Sequence, residues 1–508
     1  MISQPHPPPT IQLLSADELT GPIYESIVYG GTRVEIAEQA LRRVGDSRSA
    51  LLDHLDTGVV CYGVTTGMGA LSKLDLTPDQ RAGLPRRTLI GRASGTGPPL
   101  PAAVGRGALL AKLVQFLGGR SGVSVELCAV IVDRLNRHLT PLIPSRGLCM
   151  AGEIIPLAHA MQTLIGEGRV LSRTGQVVSA AAWHREHDVI PYEAGVKEGL
   201  SLISGTAVGP ALAWDSSRRT GRLLDLAGLV AVSSVEGLAA PVEPYSADAA
   251  SLSPDPFVAG VSESLRRHLD GSLIQRNTRQ APVSFRVVPQ VHAVAAAGLE
   301  RLRAVALADL RSNGDNPAFF AEPDSPVHGR LVNSGNFHGA ALTAAVEALT
   351  AALVHVGTLA EKRIHRLLDE RASGLAPQLA ADPGLDGGLV TVHKAAVAYG
   401  ASLRVLAAPV SVMQPDTSFG QEDAVSMVFP ALERLDEAIG HVQAILAHEL
   451  YVACVAIDQR GEQPAEAVAA LHHELRVLVP PYAGDRSYGP DLDIVIALVA
   501  RRCAPAGA

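Results

Sequence analysis

Tyr62, Arg286 and Glu422 are the side chains in this sequence whose types and settings could do chemistry. Tyr62 opens the stretch Tyr62-Gly-Val-Thr-Thr-Gly-Met-Gly69, where a phenol could serve as a general acid or base. On residue type alone, a half-buried structural tyrosine is the commoner outcome. Arg286, in Val283-Ser-Phe-Arg286, offers the paired donors that a carboxylate accepts, or else a helix-linking salt bridge. Glu422, in Gln421-Glu-Asp-Ala-Val-Ser-Met427, could exchange a proton or accept an ammonium group. It could equally be a carboxylate favoured at the start of a helix. A second glycine-rich stretch, Gly91-Arg-Ala-Ser-Gly-Thr-Gly-Pro98, resembles a phosphate cradle only weakly, since neither loop matches a P-loop. The histidines show no i, i+4 pair, and the five cysteines show no metal-ligand spacing. No metal site and no disulfide framework is expected.

These residues need elements to hold them. Leu342, Val346, Leu349, Leu353, Val356 and Leu359 step by three and four, as do Leu432, Leu435, Ile439, Val442, Leu446 and Leu450. That period predicts two long helices with apolar stripes. Interleaved alanines allow close helix–helix approach. Before about residue 200, shorter helical patterns alternate with Gly/Pro loops. Strand-like alternation is sparse, the best stretch being 282–288. The expected organisation is a Pro-rich arm over 1–20, an N-terminal domain over 21–200 carrying the Tyr62 loop, and a long-helix bundle over 201–508 that oligomerises. The fold class is mostly α.

The 508 residues are 47% apolar but only 4% aromatic, so Ala, Leu and Val must fill the core. Lys and Arg number 43 against 51 Asp and Glu, a net charge of −8, which argues against nucleic acid as a partner. No uncharged apolar run reaches the roughly 18 residues of a membrane span. The N-terminus lacks a basic start and an apolar core, so a cytoplasmic protein is expected.

Several segments together are more specific than any alone. The Tyr62–Gly69 loop resembles the Tyr-Gly-Val-Asn-Thr-Gly-Phe-Gly loop of histidine and phenylalanine ammonia-lyases. So do Ile155-Pro-Leu-Ala-His-Ala160 with Ile165-Gly-Glu-Gly168, and Lys197-Glu-Gly-Leu-Ser-Leu-Ile-Ser-Gly-Thr206. Phe285-Arg-Val-Val-Pro-Gln-Val291, Gly314-Asp-Asn-Pro317, Ser334-Gly-Asn-Phe-His338 and Gln421–Met427 follow in the family's order. The resemblance implies an almost all-α homotetramer whose active sites combine loops from three subunits.

It also implies a test the chain fails. Those enzymes use methylidene-imidazolone (MIO), an electrophile formed when Ala-Ser-Gly cyclises and loses two waters. The serine must carry a β-leaving group. Here the stretch reads Gly147-Leu-Cys-Met-Ala-Gly-Glu153, with Ala151 and Gly152 where the triad is expected and no serine beside them. The loop looks one residue short. Cys149 could in principle lose sulfide, but it sits two positions early and is crowded by Leu148 and Met150. MIO is therefore expected to be absent, and Cys149, Met150, Ala151 and Gly152 form a degenerate loop.

Other positions depart too. The family's asparagine is Ser204, and its tyrosine before the carboxylate-binding arginine is Val283. The resemblance makes Tyr62, Arg286 and Glu422 the catalytic candidates. It makes Gly91, Arg92, Ser204, Gln280, Val283, Asn336 and Phe337 the substrate-lining ones. Gly91-Arg92 stands where the family contacts the end of the substrate side chain. A buried guanidinium there needs an anion, either a second acidic group on the ligand or an internal carboxylate such as Glu422.

The expected function is an MIO-independent enzyme acting on a small carboxylate-bearing, natural-product-like molecule. Elimination of a good leaving group, conjugate addition, isomerisation and cyclisation are the reachable reactions. The alternatives are a non-catalytic small-molecule binder or scaffold, and a genuine ammonia-lyase or aminomutase with an aberrant electrophile.

Overall fold

The computed structural model describes residues 9–172, 174–276, 280–322 and 324–504. The periodic stripes form the predicted helices, Ala340–Leu367 and Val428–Arg460. Leu342, Val346, Leu349, Leu353 and Val356 are fully buried, and every named member of the second stripe is at most 2% exposed. Two further long helices, Val208–Leu238 and Val288–Arg311, complete the set. Small residues do bring helices together: a Cβ on Gly357 would lie 2.6 Å from Leu403 Cδ2.

Two of these helices, Ala340–Leu367 and Val428–Arg460, are long and apolar enough to cross a membrane by length and composition. The reading from uncharged runs missed them because each tolerates a few charges. Of their most apolar windows 61% and 83% is buried within the protein, as in core helices. Arg363 of the first and Glu449 of the second, both fully buried, join as an ion pair.

The division of the chain differs from the expected cut near residue 200. One compact unit takes residues up to 215 with 303–344 and 410–432; the other takes 216–302, 345–409 and 433–508. Helices of about 30 residues carry the chain out of a unit and back, so sequence order does not follow spatial grouping. Residues 1–8 of the expected arm lie outside the described residues. From residue 10 the segment is no arm: Thr10–Leu13 pairs in parallel with Arg33–Ile36, and Leu13 and Leu19 are fully buried.

The first unit also holds small sheets that position its loops. Thr96–Pro99 pairs antiparallel with Pro144–Arg146, and Thr140–Pro141, Arg169–Leu171 and Val177–Ser179 form three strands. Ala318–Ala321 pairs with Gly329–Val332. The strand expected at 282–288 is instead helical over Val283–Arg286, followed by the helix from Val288. Its alternation is the first turn of a helix after Pro282: Phe285 is buried at 1% and Val283 is 57% exposed.

Candidate active site

The Tyr62 loop is built by its own backbone. Thr65 Oγ1 accepts the Cys61 N–H at 2.7 Å, Gly63 turns at φ +66°, and Gly67 N–H donates to Leu74 O at 3.0 Å. The loop then folds back so that Gly69 N–H donates to the Tyr62 phenol oxygen at 2.7 Å. Gly69–Leu71 packs against Ser418–Gly420, the turn before Glu422. The carboxylate of Glu422 accepts Ser418 Oγ at 3.1 Å and lies 3.5 Å from Ala151 N–H. Gly152 in turn faces Phe337, whose Cβ and Cδ2 would lie 3.5 Å from an added Cβ. Tyr62, Glu422, the degenerate loop and Phe337 thus form one continuous constellation.

Met150, Ala151 and Gly152 form the buried floor of this site; the Cβ atoms of Met150 and Ala151 carry no heteroatom, and Gly152 has no Cβ. Cys149 is exposed, its sulfur 3.8 Å from Met427 Sδ. Partial desolvation of the sulfur still raises its thiol's pKa. Behind the floor sits Glu153, a residue the sequence reading did not select. Its carboxyl accepts N–H groups from Ala207, Val208 and Gly209 at 2.8, 2.6 and 2.9 Å, the start of the helix Val208–Leu238. A helix N-terminus favours such an anion. Burial nevertheless pushes the group up to about 7. A Cβ on Gly209 would lie 2.5 Å from Glu153 Oε1, so glycine is needed there.

Lys112 was also missed. It is fully buried and donates to Ser204 O at 2.8 Å and Gln115 Oε1 at 3.2 Å, with burial lowering its pKa to about 8. A single charge within the apolar run Gly107–Leu117 was the available signal.

Arg92 is half-buried beside Tyr62. Burial lowers its pKa and the tyrosine opposes that. It donates to Thr88 O at 3.4 Å and lies 3.8 Å from Met68 Sδ. Among the described residues it has no carboxylate partner, and Glu422 is engaged elsewhere, so the internal Arg92–Glu422 pair is not formed. Gly91 is the C-cap of the helix Pro78–Ile90, its N–H bonded to Arg87 O at 2.9 Å. Ser204 turns its hydroxyl back to Leu200 O at 2.9 Å, and Asn336 is exposed at the Phe337 turn.

Gln280, Val283 and Arg286 belong to the other unit. There Arg286 Nε donates to Ala281 O at 3.0 Å, its only hydrogen bond among the described residues, and Gln280 is exposed. Val283 lines a cleft of about 580 Å³ with Glu361, Lys362, His365 and Arg366. Among the described residues no group of His, Cys, Asp and Glu could hold a metal ion.

The chain matches the family model for aromatic amino acid lyase over residues 20–477. It is 33% identical over 474 residues to histidine ammonia-lyase of Deinococcus radiodurans, covering 92% of this chain and 89% of that protein. The chain therefore belongs to the aromatic amino acid lyase family, the enzymes that include ammonia-lyases and aminomutases. Its fold matches the ergothioneine-degrading ergothionase of Treponema denticola, solved with desmethyl-ergothioneine sulfonic acid, at TM-score 0.92 and 25% identity over 97% of this chain and 99% of that one. It also matches tyrosine aminomutase of Streptomyces globisporus at TM-score 0.86 and 26% identity, covering 97% of each chain.

Proposed function

We propose that this chain is an enzyme that dispenses with MIO and eliminates an already activated amine from a small carboxylate-bearing substrate. The observation that carries the reading is Ala151. It lies on the floor of a site flanked by Tyr62, Glu422 and Phe337, yet has no β-leaving group from which a methylidene could form by dehydration. The residues present do not fit the family's electrophile.

Without that electrophile, a primary ammonium is a poor leaving group. A trimethylammonium is different, because it departs as a neutral amine with the electrons of its C–N bond. Tyr62, as the phenolate, would take the β-proton as the C=C bond forms and the C–N bond breaks, and later pass that proton to solvent. The Gly69 N–H donates to the phenol oxygen and would hold Tyr62 in place as that base, with Arg92 nearby. The likeness to an ergothioneine-degrading enzyme supports this chemistry, since ergothioneine is a trimethylammonium carboxylate on a thioimidazole. Arg92, with no carboxylate partner among the described residues, would read an electron-rich group at the far end of the substrate, a thione sulfur or an anion such as a sulfonate. Arg286 would clamp the carboxylate within a homotetramer in which another subunit supplies it. A cytoplasmic location goes with this reading.

The test is mass and turnover. The purified 53.0 kDa chain is expected at its unmodified sequence mass. It should release trimethylamine from ergothioneine and no ammonia from histidine. Tyr62→Phe should lower kcat by about 10²–10⁴-fold with an unchanged melting temperature. A mass short by two waters, or ammonia from histidine, would overturn the reading.

A further inference from the structure

Arg92 sits on a short segment, Gly91–Gly95, whose own backbone bonds are local: Ala93 N–H to Ile90 O at 3.4 Å and Ser94 N–H to Arg92 O at 3.0 Å. Neither ties it to the floor of the site. Gly95 N–H does, donating to His159 Nε2 at 3.0 Å. His159 lies on the helix Ile154–Met161, which begins two residues after Gly152. One residue beyond Gly95, Thr96 pairs with Arg146 on the strand that leads into the degenerate loop.

We infer that His159 is a positioning residue: it locks the Arg92 segment to the floor and so sets selectivity for a substrate bearing a distal anion, without touching that substrate. The inference rests on the reading of Arg92 above. Its chemistry is that of an acceptor. Nε2 can take an N–H only while unprotonated, so the ring carries its proton on Nδ1. Burial, then the charge of Arg169, hold the imidazole below its ordinary range, which keeps the acceptor available at neutral pH. The fit at Gly95 is close: an added Cβ would lie 3.3 Å from His159 Nε2, 3.4 Å from Arg146 O and 3.4 Å from Ile155 Cγ2. The segment is thus pinned between a helix and a strand, and the imidazole supplies the helix side.

Two variants separate positioning from simple packing. His159→Leu keeps bulk and removes the acceptor. His159→Gln places an amide oxygen near where Nε2 stood, so it can accept the same N–H. The first measurement needs no substrate: hydrogen–deuterium exchange over 91–97 in the full-length protein. Exchange there should rise at least tenfold in His159→Leu and return within about threefold of wild type in His159→Gln. The second compares affinity for desmethyl-ergothioneine sulfonic acid with that for N,N-dimethylhistidine, which lacks the distal sulfonate. His159→Leu should weaken the sulfonate probe at least tenfold and the neutral probe less than twofold, with Gln restoring the difference. Unchanged exchange in His159→Leu, or equal weakening of both probes, overturns the inference. If wild type binds neither probe, the proposed function has failed, and the exchange measurement still judges the hold of His159 on the segment.

Discussion

Buried ion pairs stand in both units, Arg363–Glu449 in one and Lys197–Asp315 in the other, but the cations near the Tyr62 loop are partnered differently. In the unit containing residues 345–409 and 433–508, Arg363 meets both oxygens of Glu449, at 2.5 and 2.9 Å, and Ser234 adds a hydroxyl to the same carboxylate at 2.6 Å. Glu236 there is matched by Arg276, by Ser272 and by the Ala465 N–H. In the unit carrying the Tyr62 loop, Arg92 has a carbonyl and a thioether, and Lys112 has a carbonyl and an amide. A buried charge with complete partners contributes to a defined fold. One left with neutral partners costs desolvation energy; Lys112 is sealed inside the protein, whereas Arg92 is half-buried and keeps capacity for a ligand.

That contrast can be broken at several points. The largest effect is expected at Glu449→Gln, which leaves Arg363 uncompensated. It should cost roughly 3–5 kcal/mol of unfolding free energy, read by urea titration. A loss under about 1 kcal/mol would mean the pair is not structural. Next is the pH profile of Glu153. Its pKa is raised from 4.5 to about 7 in the folded protein. Between those values the folded state holds a proton the unfolded state has lost. Stability should therefore fall as pH rises through this window, by up to about 3 kcal/mol. Glu153→Gln should remove that component from melting curves taken between pH 4.5 and 8.

Arg92→Ala sharpens the comparison from the other side. Stability should change within about 0.5 kcal/mol, while affinity for desmethyl-ergothioneine sulfonic acid falls at least tenfold, about 1.4 kcal/mol. A variant that melts much earlier but binds equally well would place Arg92 with Arg363 as a structural charge. The smallest effect belongs to Ser204→Ala. Among the described residues its hydroxyl bonds Leu200 O alone, so binding should be unchanged and stability should shift by less than about 1 kcal/mol.

Much of this was legible in the residues. The stripes from Leu342 and Leu432 announced their helices because burial on one face of a helix demands a 3.6-residue period. The family segments placed Tyr62, Glu422 and Phe337 near the degenerate loop. The misreadings also have causes. At 282–288 the alternation of Val283, Phe285 and Val287 suits a strand or a first helical turn, and a short run cannot distinguish them. The segment 10–20 looked loose because its Pro-rich approach masks a strand whose partner, Arg33–Ile36, lies twenty residues on.

By itself, then, the sequence determined the helical architecture, the family, and the missing β-leaving group at Ala151, because periodicity and covalent composition are properties of the chain alone. Only the tertiary structure decided that Arg92 finds no carboxylate among the described residues, that Glu422 turns to the Ala151 amide, that Glu153 caps the helix at Val208, and that His159 grips Gly95. Those outcomes depend on which groups separated by tens to hundreds of residues meet within hydrogen-bond distance, and no local pattern encodes that.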